Sequence, residues 1–440
     1  MRKFAALFAL LVMFAWPAHA AENPQFQIKP IDDAWRAALP HDAQQATQAF
    51  MDRLPKESVA RADAYFEGGY WLQLWNFILG LAIAWVLLAG RRAARFRDWV
   101  CRVGKRPFVA DAIFGAAYWV AGWMLSLPLT VYQSYFREHQ YGMATQTFGP
   151  WFGEQLVSLA IGVVVAAIVI PVLFKAIRRL GERWWVAGAA LAIAFQVVGL
   201  LIAPVWIDPL FNTYKPVDDP VVKNSVLALA HANGVPANEI YEFDASKQTT
   251  RVSANVAGIG SSAQIRLNDN LLRRTSLPEI RSVMGHELGH YVLNHQYKFL
   301  AFMALLMLAG FAFTHRGSTW ALARWGARWS VNGIADIASL PLLVAVLSVF
   351  IFLATPVINT LIRVQEIEAD RFALNLAREP IAEAEVDLKL TEYRKPDPGP
   401  IEEFLFFDHP STRFRVHDAM RWREAMRADG PDKPWPAAKP

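Results

Sequence analysis

The sequence predicts a mainly α-helical fold, a multi-pass transmembrane bundle with a small α/β unit set between its helices. Three observations predict this class. Apolar residues make up 54% of the 440 residues and charged residues only 19%, with a mean hydropathy of +0.20. Apolar runs long enough to cross a bilayer recur along the chain and end at short basic loops. One more polar stretch, 207–298, instead contains short strand-like segments bounded by turn residues.

The predicted spans form two groups on either side of that polar stretch. Transmembrane helices are expected within 68–206, at the runs 71–90, 108–132, 156–174 and 184–203, and within 299–362, at 299–313 and 337–362. Residues 1–20 predict a signal peptide, because a basic start precedes a short apolar core and a small-x-small end; an uncleaved first span is the alternative. This gives about six spans, or seven with the first segment. Residues 21–67 predict an external helical segment, and 426–440 a disordered tail.

The positive charge of the chain lies in short loops beside the apolar runs. The net charge is +5 and the pI is near 9.2, but the basic residues do not form the stripe on a folded domain that a nucleic-acid-binding protein would show. This distribution indicates a lipid bilayer as partner and no nucleic acid. The basic loops 91–107, 175–183 and 315–333 share one side of the membrane, which the positive-inside rule assigns to the cytoplasm. We therefore expect a bacterial inner-membrane protein whose 207–298 unit faces the periplasm.

Within 207–298 the sequence predicts one helix, at 221–233, and three short strands. The strands are expected at 239–243, 251–257 and 263–267, with 258–262 as the turn between the last two. An exposed edge strand can pair with an extended peptide and hold it by main-chain hydrogen bonds. Pure scaffolding is the alternative interpretation of these strands.

A predicted helix near the end of this unit carries the motif His286-Glu287-Leu-Gly-His290, and Ser276 and Glu279 have the spacing of a capping box at its start. Residues four apart share a helix face, so the two imidazoles can bind one metal ion. Glu287 beside them can act as general base for a water at that metal. Together with the small sheet, the motif predicts a zincin-like catalytic unit. The alternative is a buried helix whose His and Glu side chains are satisfied by hydrogen bonds.

A zinc site needs a third protein ligand and an open position. Cys101 is the single cysteine, so that ligand must be a His or a carboxylate. Glu366 and Asp370 follow the last span and are four residues apart, so they share a helix face. Glu366 is the predicted ligand, and Asp370 can orient a ligating His. Glu368 is the competitor, but it points away from Asp370, and a solvated charged helix end is the alternative for all three.

The predicted C-terminal segment, 363–425, also contains His409, followed six residues later by Arg415. Amide hydrolysis builds negative charge on the carbonyl oxygen, and a His or Arg donor aimed at that oxygen would stabilise the transition state. A lone His is more often structural, which is the alternative for His409.

Together these motifs resemble the integral-membrane zinc metallopeptidases of the CAAX prenyl protease type 1 family. The likeness covers residues 65–420 approximately and includes the region from Leu127 to Thr147. It is carried by His286-Glu-Leu-Gly-His290 with its trailing Leu293-Asn294-His295, by Glu366-x-x-x-Asp370, by His409-Pro410 with Arg415, and by the shorter matches Pro209-Leu-Phe-Asn212 and Asp244-Ala-Ser-Lys247.

The resemblance implies a site with one Zn²⁺ per chain, whose ligands are His286, His290 and Glu366. It implies that Glu287 activates water and that the residues assisting near the metal are His409 and Arg415. We predict that Asp370 and Asn294 support the ligands from outside. The resemblance also implies that the spans surround a large water-filled chamber, and that a substrate peptide pairs with the edge strand Ser253, Ala254, Asn255 and Val256.

The motifs and the resemblance predict a membrane-embedded zinc metalloendopeptidase, a gluzincin of the HEXXH type. A site facing the periplasm would not meet cytosolic prenylated proteins, so we expect membrane-associated or misfolded peptides and proteins as substrates. The alternative is a non-proteolytic metal-binding membrane chaperone or scaffold, against which the intact Glu287 argues. A transporter is disfavoured, because the predicted spans lack the ionisable residues at mid-depth that a transport path needs.

Overall fold

The computed structural model describes residues 28–258 and 263–428. The predicted signal segment 1–20 lies outside the described residues, as do most of the predicted turn 258–262 and of the predicted tail. The last helix continues to Ala428. The first residues of the segment predicted as a disordered tail, 426–428, are therefore helical.

Helices make up most of the described chain. Before the sheet they are α1 (Asp33–Ala38), α2 (Ala43–Met51), α3 (Lys56–Ala89), α4 (Arg92–Gly104), α5 (Pro107–Val131), α6 (Arg137–Gln140), α7 (Phe148–Leu180) and α8 (Trp184–Ile202). The polar unit contains β1 (Tyr214–Pro216), α9 (Pro220–Ala232), β2 (Ile240–Phe243), β3 (Ala254–Ala257) and β4 (Gln264–Asn268). The later helices are α10 (Asp269–Arg274), α11 (Leu277–Val292), α12 (His295–Trp329), α13 (Leu340–Ala377), α14 (Pro380–Lys389), α15 (Pro400–Phe406) and α16 (Thr412–Ala428).

Five helical stretches of the described chain are long and apolar enough to cross a membrane: Lys56–Ala89, Pro107–Gln140, Phe148–Leu210, His295–Trp329 and Ile337–Ala377. The third contains both α7 and α8, which are separated by a short 3-10 turn. Five of the six predicted apolar runs lie within these stretches and the sixth, 71–90, ends one residue beyond the first of them, so the predicted multi-pass helical class is confirmed. The last stretch is longer than predicted, because α13 continues without a break through Glu366 and Asp370 to Ala377.

The chain forms two compact units, and the first consists of Tyr70–Phe211 and Tyr297–Thr355. Its buried core lies between helices α4, α5, α7, α8 and α12 and the start of α13, with large side chains such as Phe114, Phe174, Ile177 and Trp184. Such a core requires several apolar helices to pack side by side, as the run of predicted spans implies.

The basic loops of this first unit lie together. Arg97 donates to the backbone carbonyl of Ser330 at 3.1 Å, and Arg178 donates to that of Ala335 at 3.2 Å. Arg178 also forms a two-pronged ion pair with the buried Asp111, at 2.5 and 2.9 Å. Charged groups beside apolar helices are paired in this way because an isolated buried charge is costly. The three loops predicted to share one side of the membrane are thus neighbours in the structure.

The second unit includes residues 28–69, Asn212–Gln296 and the chain from Pro356 onward. Its sheet has the strand order β1-β2-β4-β3, in which β2 and β4 are parallel and the other two pairs are antiparallel. The β3–β4 register, with Ala254 opposite Leu267, confirms the predicted pair of neighbouring strands. Helices α9 and α11 cover the sheet through a core that contains Val226, Ile240, Ile265, Leu267, Met284 and Leu288. The prediction missed β1, which is only three residues long and contains a proline.

A second core of this unit joins helices that are far apart in the sequence. Phe50 of α2 is fully buried against the end of α13, α14 and α16, where Leu374, Leu388 and Met420 are also buried. The N-terminal helical segment therefore packs with the C-terminal segment. This packing holds together α13, α14 and α16, the helices that carry Asp370, Asp387 and Arg415.

Candidate metal centre and active site

Helix α11 presents the HEXXH motif on a well-defined start. Glu279 accepts a hydrogen bond from the backbone N–H of Ser276 at 2.7 Å, which completes the predicted capping box. The other carboxylate oxygen of Glu279 pairs with the ammonium of Lys389 from α14 at 2.6 Å, in a buried ion pair. The helix that carries His286 and His290 is thus held at its first turn both locally and by a neighbouring helix.

Two glycines bring α11 and α13 into close contact. A Cβ atom at Gly285 would lie 3.1 Å from the Cα atom of Ala373, and one at Gly289 would lie 3.2 Å from that of Ala369. A Cβ atom at either position would therefore require atoms of α13 to move by a few tenths of an ångström, because both contacts are closer than ordinary van der Waals packing. The close approach places the HEXXH face of α11 opposite the face of α13 that carries Glu366.

The three predicted ligands converge on one point. The Nε2 atoms of His286 and His290 are 3.0 Å apart. The carboxylate oxygens of Glu366 lie 3.2 Å from the Nε2 atom of His286 and 3.3 Å from that of His290. Zinc–ligand bonds of about 2.0–2.1 Å in a tetrahedral site put ligand atoms roughly 3.3–3.4 Å apart. The donor set and its spacing fit a zinc ion with a fourth position open.

Each imidazole of the pair has a partner on its other nitrogen. The Nδ1 atom of His286 lies 2.7 Å from a carboxylate oxygen of Asp370, the arrangement predicted for an orienting carboxylate. The Nδ1 atom of His290 lies 2.9 Å from the Nδ1 atom of His295. His295 in turn contacts Glu368, with 3.0 Å between Nε2 and a carboxylate oxygen. Both partners leave the Nε2 atoms free for a metal.

Glu287 lies on the wall of a cavity of about 240 Å³. The same cavity is lined by His286, Glu366 and His409, and by Ser253 and Ala254 at the start of β3. Burial raises the pKa of Glu287, while the neighbouring imidazoles oppose the rise. A raised pKa brings a carboxylate closer to the range in which a general base works best at neutral pH.

His409 is a further polar group close to the three predicted ligands. Its Nε2 atom is 3.3 Å from Glu366, and its Nδ1 atom is 2.8 Å from the carboxylate of Asp408. The structure thus brings His409 to the metal centre with one nitrogen facing the ligands. This position is compatible with the predicted donor role, which stays a prediction.

Arg415 lies behind the metal centre in a buried cluster of charges. Its guanidinium donates to both oxygens of Asp370, at 2.8 and 2.5 Å. It also pairs with Asp387 at 2.8 Å and lies 3.7 Å from Glu383, which accepts a hydrogen bond from Ser282. All three nitrogens of the guanidinium group are thus directed at carboxylates. These contacts favour a positioning role for Arg415, through Asp370, over the predicted contact with a substrate oxyanion.

One cation among three buried carboxylates leaves an excess of negative charge unless some carboxylates hold a proton. Burial raises the pKa of Asp387 well above its ordinary value, although Arg415 opposes this. Burial also raises the pKa of Glu383, and the nearby Asp370 adds to the rise. Burial thus favours the protonated forms of Asp387 and Glu383, while the guanidinium of Arg415 donates to both oxygens of Asp370.

The predicted substrate strand lies at an edge of the sheet. β3 pairs with β4 on one side, and on the other side no strand of the described chain pairs with it. Ser253 and Asn255 are exposed, whereas Ala254 and Val256 pack on the core of the unit. This alternation places one face of β3 on the core of the unit. Its edge beside the cavity pairs with no strand of the described chain.

The structure gives Asn294 a different role from the predicted support of a ligand. Its backbone has φ = +59°, and its exposed side chain donates to the carbonyl of Val292 at 3.3 Å. Asn often takes this left-handed conformation at helix ends. Asn294 therefore forms the turn between α11 and α12, and the residue that contacts His290 is the next one, His295.

Comparison with known proteins identifies the family. Residues 216–423 match peptidase family M48, and residues 38–213 match the family described as CAAX prenyl protease N-terminal, five membrane helices. The chain is 30% identical over 363 residues to the uncharacterized metalloprotease YhfN of Bacillus subtilis, which covers 81% of this chain and 85% of that protein. It is a member of the M48 CAAX prenyl protease family.

Other M48 proteins agree with this assignment. CAAX prenyl protease 1 of Saccharomyces cerevisiae is 24% identical over 311 residues, which covers 67% of this chain and 68% of the yeast protein. The crystal structure of S. mikatae Ste24p superposes with a TM-score of 0.71 at 19% identity and covers 88% of this chain and 95% of that one. The first match supports the family and the second the fold. The chain is thus a metalloprotease of a multi-helix membrane family, as predicted.

In this M48 protein the sequence reasoning found the HEXXH face and the Glu366–Asp370 pair, but it missed the residues behind them. The sequence presents His295 only within the motif that carries the resemblance, and Glu368 only as a competitor for the ligand position. It does not distinguish Glu383 and Asp387 from other acids on short helices, which usually face solvent. Their signal in the sequence is faint: two acids four apart on α14, a spacing shared by many exposed helices.

Proposed function

We propose that this M48 protein is a membrane-embedded zinc endopeptidase that cuts peptides held on β3. The observation that carries the proposal is the convergence of two Nε2 atoms and one carboxylate within 3.0–3.3 Å, with Glu287 on the wall of the same cavity. Two imidazoles and one carboxylate form a common ligand set of catalytic zinc sites. A bound zinc ion would polarise the scissile carbonyl and lower the pKa of water.

The residues of the chain divide the remaining work among them. The free edge of β3 would hold the peptide backbone in extended form beside the cavity. Glu287 would take a proton from the attacking water and pass it to the leaving amine. His409 would donate a hydrogen bond to the carbonyl oxygen as negative charge develops on it. Asp370 would keep the His286 ring in the orientation that directs Nε2 into the site.

The chaperone or scaffold hypothesis predicts peptide binding without cleavage. A protein that only binds peptides has no use for a carboxylate placed beside metal ligands, as Glu287 is. Purified protein in detergent is expected to cleave a quenched fluorescent peptide, to lose this activity with a zinc chelator and to regain it on addition of Zn²⁺. Peptide binding with no cleavage by zinc-loaded protein would favour the chaperone. Cleavage that a chelator does not affect would overturn the metal mechanism.

We also place the protein in the bacterial inner membrane, with the catalytic unit towards the periplasm. The support is the clustering of the three basic loops, which the positive-inside rule assigns to the cytoplasm. Membrane-associated or misfolded proteins of the periplasm are then the proposed substrates.

The exposed Cys101 in α4 reports on the basic loops, and a Lys215→Cys variant lacking Cys101 reports on the sheet, where Lys215 is 58% exposed. A membrane-impermeant maleimide applied to spheroplasts is expected to label position 215 and to leave Cys101 unlabelled until the cells are lysed. Labelling of Cys101 but not of position 215 in intact spheroplasts would reverse the orientation.

A further inference from the structure

His290 belongs to a chain of three side chains that leads away from the metal centre. Its Nδ1 atom faces the Nδ1 atom of His295 at 2.9 Å, and the Nε2 atom of His295 faces Glu368 at 3.0 Å. His295 is 2% exposed, so water does not compete freely for its nitrogens. Glu368 is 46% exposed and ends the chain near solvent.

The turn after α11 allows the contact between His290 and His295. Asn294 takes a left-handed backbone conformation with φ = +59°, and His295 begins the next helix. The break between the two helices at this point leaves the His295 ring against the His290 ring, with centroids 5.0 Å apart and planes at 72°. Residues five apart on one continuous helix would not meet in this way.

The chemistry of the imidazoles sets the direction of each hydrogen bond. A ligand His that binds metal through Nε2 carries its proton on Nδ1, so His290 is the donor to His295. His295 must then accept on Nδ1, which leaves its proton on Nε2, pointing at Glu368. Only one neutral tautomer of each ring satisfies the whole chain, and in it every proton lies between a donor and an acceptor.

The two metal-ligating imidazoles therefore have different supports. His286 donates directly to Asp370, a buried carboxylate held by Arg415. His290 would reach a carboxylate only through a second imidazole. Because a partner of this kind fixes ring orientation and raises the basicity of the ligand, loss of His295 should weaken metal binding.

We propose that His295, backed by Glu368, is a positioning residue that fixes the tautomer and ring orientation of His290 for metal binding. The inference rests on the proposed zinc site. It assigns functions to two residues outside the ligand set, His295 and Glu368. It also explains why the chain turns at Asn294, immediately before His295.

The test compares two replacements of His295 in the full-length protein. His295→Phe keeps the ring but removes both nitrogens, whereas His295→Asn can place an amide oxygen close to the former Nδ1 atom as an acceptor for His290. We expect His295→Phe to raise the zinc dissociation constant about 10–100-fold, as loss of an outer partner of a metal ligand typically does. His295→Asn should recover most of this loss, and Glu368→Leu should show a smaller loss than His295→Phe.

The zinc dissociation constant would be measured by competition with a chromophoric chelator, which does not depend on peptide cleavage. His417→Phe is the matched control, because His417 is a half-buried His of the same unit that contacts Thr47 rather than a ligand. The control should bind zinc like the wild type. The visible absorption of the Co²⁺-loaded protein should change in His295→Phe and remain near the wild-type spectrum in His295→Asn.

The outcomes separate this inference from the proposed function. If the wild type binds no zinc at the site, the zinc mechanism itself fails. If the wild type binds zinc and His295→Phe binds it equally well, only the role of His295 is refuted. Equal weakening in His295→Phe and His295→Asn, with equal loss of thermal stability in the metal-free proteins, would show a purely structural role and also overturn the proposal.

Discussion

Exchange of Glu287 for glutamine is expected to lower kcat for peptide cleavage by about 10²–10⁴-fold, the range that general acid–base catalysis contributes. The amide keeps the size of the side chain on the cavity wall but cannot take a proton from water. The zinc dissociation constant should stay within a few-fold of the wild type, because the three groups placed to hold a metal ion are His286, His290 and Glu366, not Glu287. Steady-state kinetics with a quenched peptide and chelator competition would measure the two quantities separately.

Two further Glu-to-Gln exchanges serve as controls for Glu287→Gln. Glu366→Gln should lose metal as well as activity, because it weakens a ligand that lies 3.2–3.3 Å from both imidazole Nε2 atoms. Glu239→Gln, at an exposed position paired with Lys223, should change neither. Normal cleavage by Glu287→Gln would refute the general-base assignment, and loss of zinc in the same variant would place Glu287 among the ligands instead.

The features of this protein that the sequence predicts correctly are those encoded by a regular pattern along the chain, such as the length of an apolar run or a four-residue spacing. Apolar runs of sufficient length predicted the spans, and each of the six corresponds to a helix long and apolar enough to cross a membrane, to within one residue. The four-residue spacing of His286 and His290, and of Glu366 and Asp370, predicted two helix faces. The structure brings these faces together, with the ligand atoms of His286, His290 and Glu366 all within 4.8 Å of one another.

The missed parts depend on contacts between distant elements. No pattern in the sequence shows that Gly285 and Gly289 let α11 approach α13 so closely, or that the turn at Asn294 leaves His295 in contact with His290. The acids around Arg415 come from α13 and α14, and they are buried because α2 and α16 pack over the same core. Such burial is a property of the tertiary fold, so the sequence alone suggested an oxyanion donor at Arg415, where the structure has an enclosed ion cluster.

Arg415→Met is expected to destabilise the protein by about 3–5 kcal/mol, the usual cost of removing one partner from a buried ion pair. The buried carboxyl groups of Asp370, Glu383 and Asp387 would then lose the cation that faces them, and Asp370 would lose its partner in the ion pair. Arg413→Met on the same helix is the matched control. Arg413 is 38% exposed and pairs with an exposed Asp397, so its loss should cost no more than about 1 kcal/mol. Urea unfolding in detergent would measure both.

The pH dependence of this loss follows from the same cluster. Burial raises the pKa values of Glu383 and Asp387 in the folded protein, so the folded state binds more protons than the unfolded chain between the ordinary pKa and the raised one. Stability then falls as the pH rises through that window. Without Arg415 the carboxyl groups lose the charge that opposes this shift, so the difference in unfolding free energy between the wild type and Arg415→Met should widen as the pH rises and narrow towards the ordinary pKa of a carboxyl group.

The two roles considered for Arg415 make opposite predictions in this experiment. A side chain that only binds the substrate oxyanion would lower kcat when it is replaced and leave the unfolding free energy unchanged. Replacement of a positioning residue would lower the unfolding free energy. It would also weaken zinc binding, because Asp370 orients His286 through Nδ1 and is itself held by the guanidinium of Arg415. A stable, zinc-replete Arg415→Met protein with a low kcat would return Arg415 to the oxyanion site, and would require its guanidinium to leave Asp370 when substrate binds.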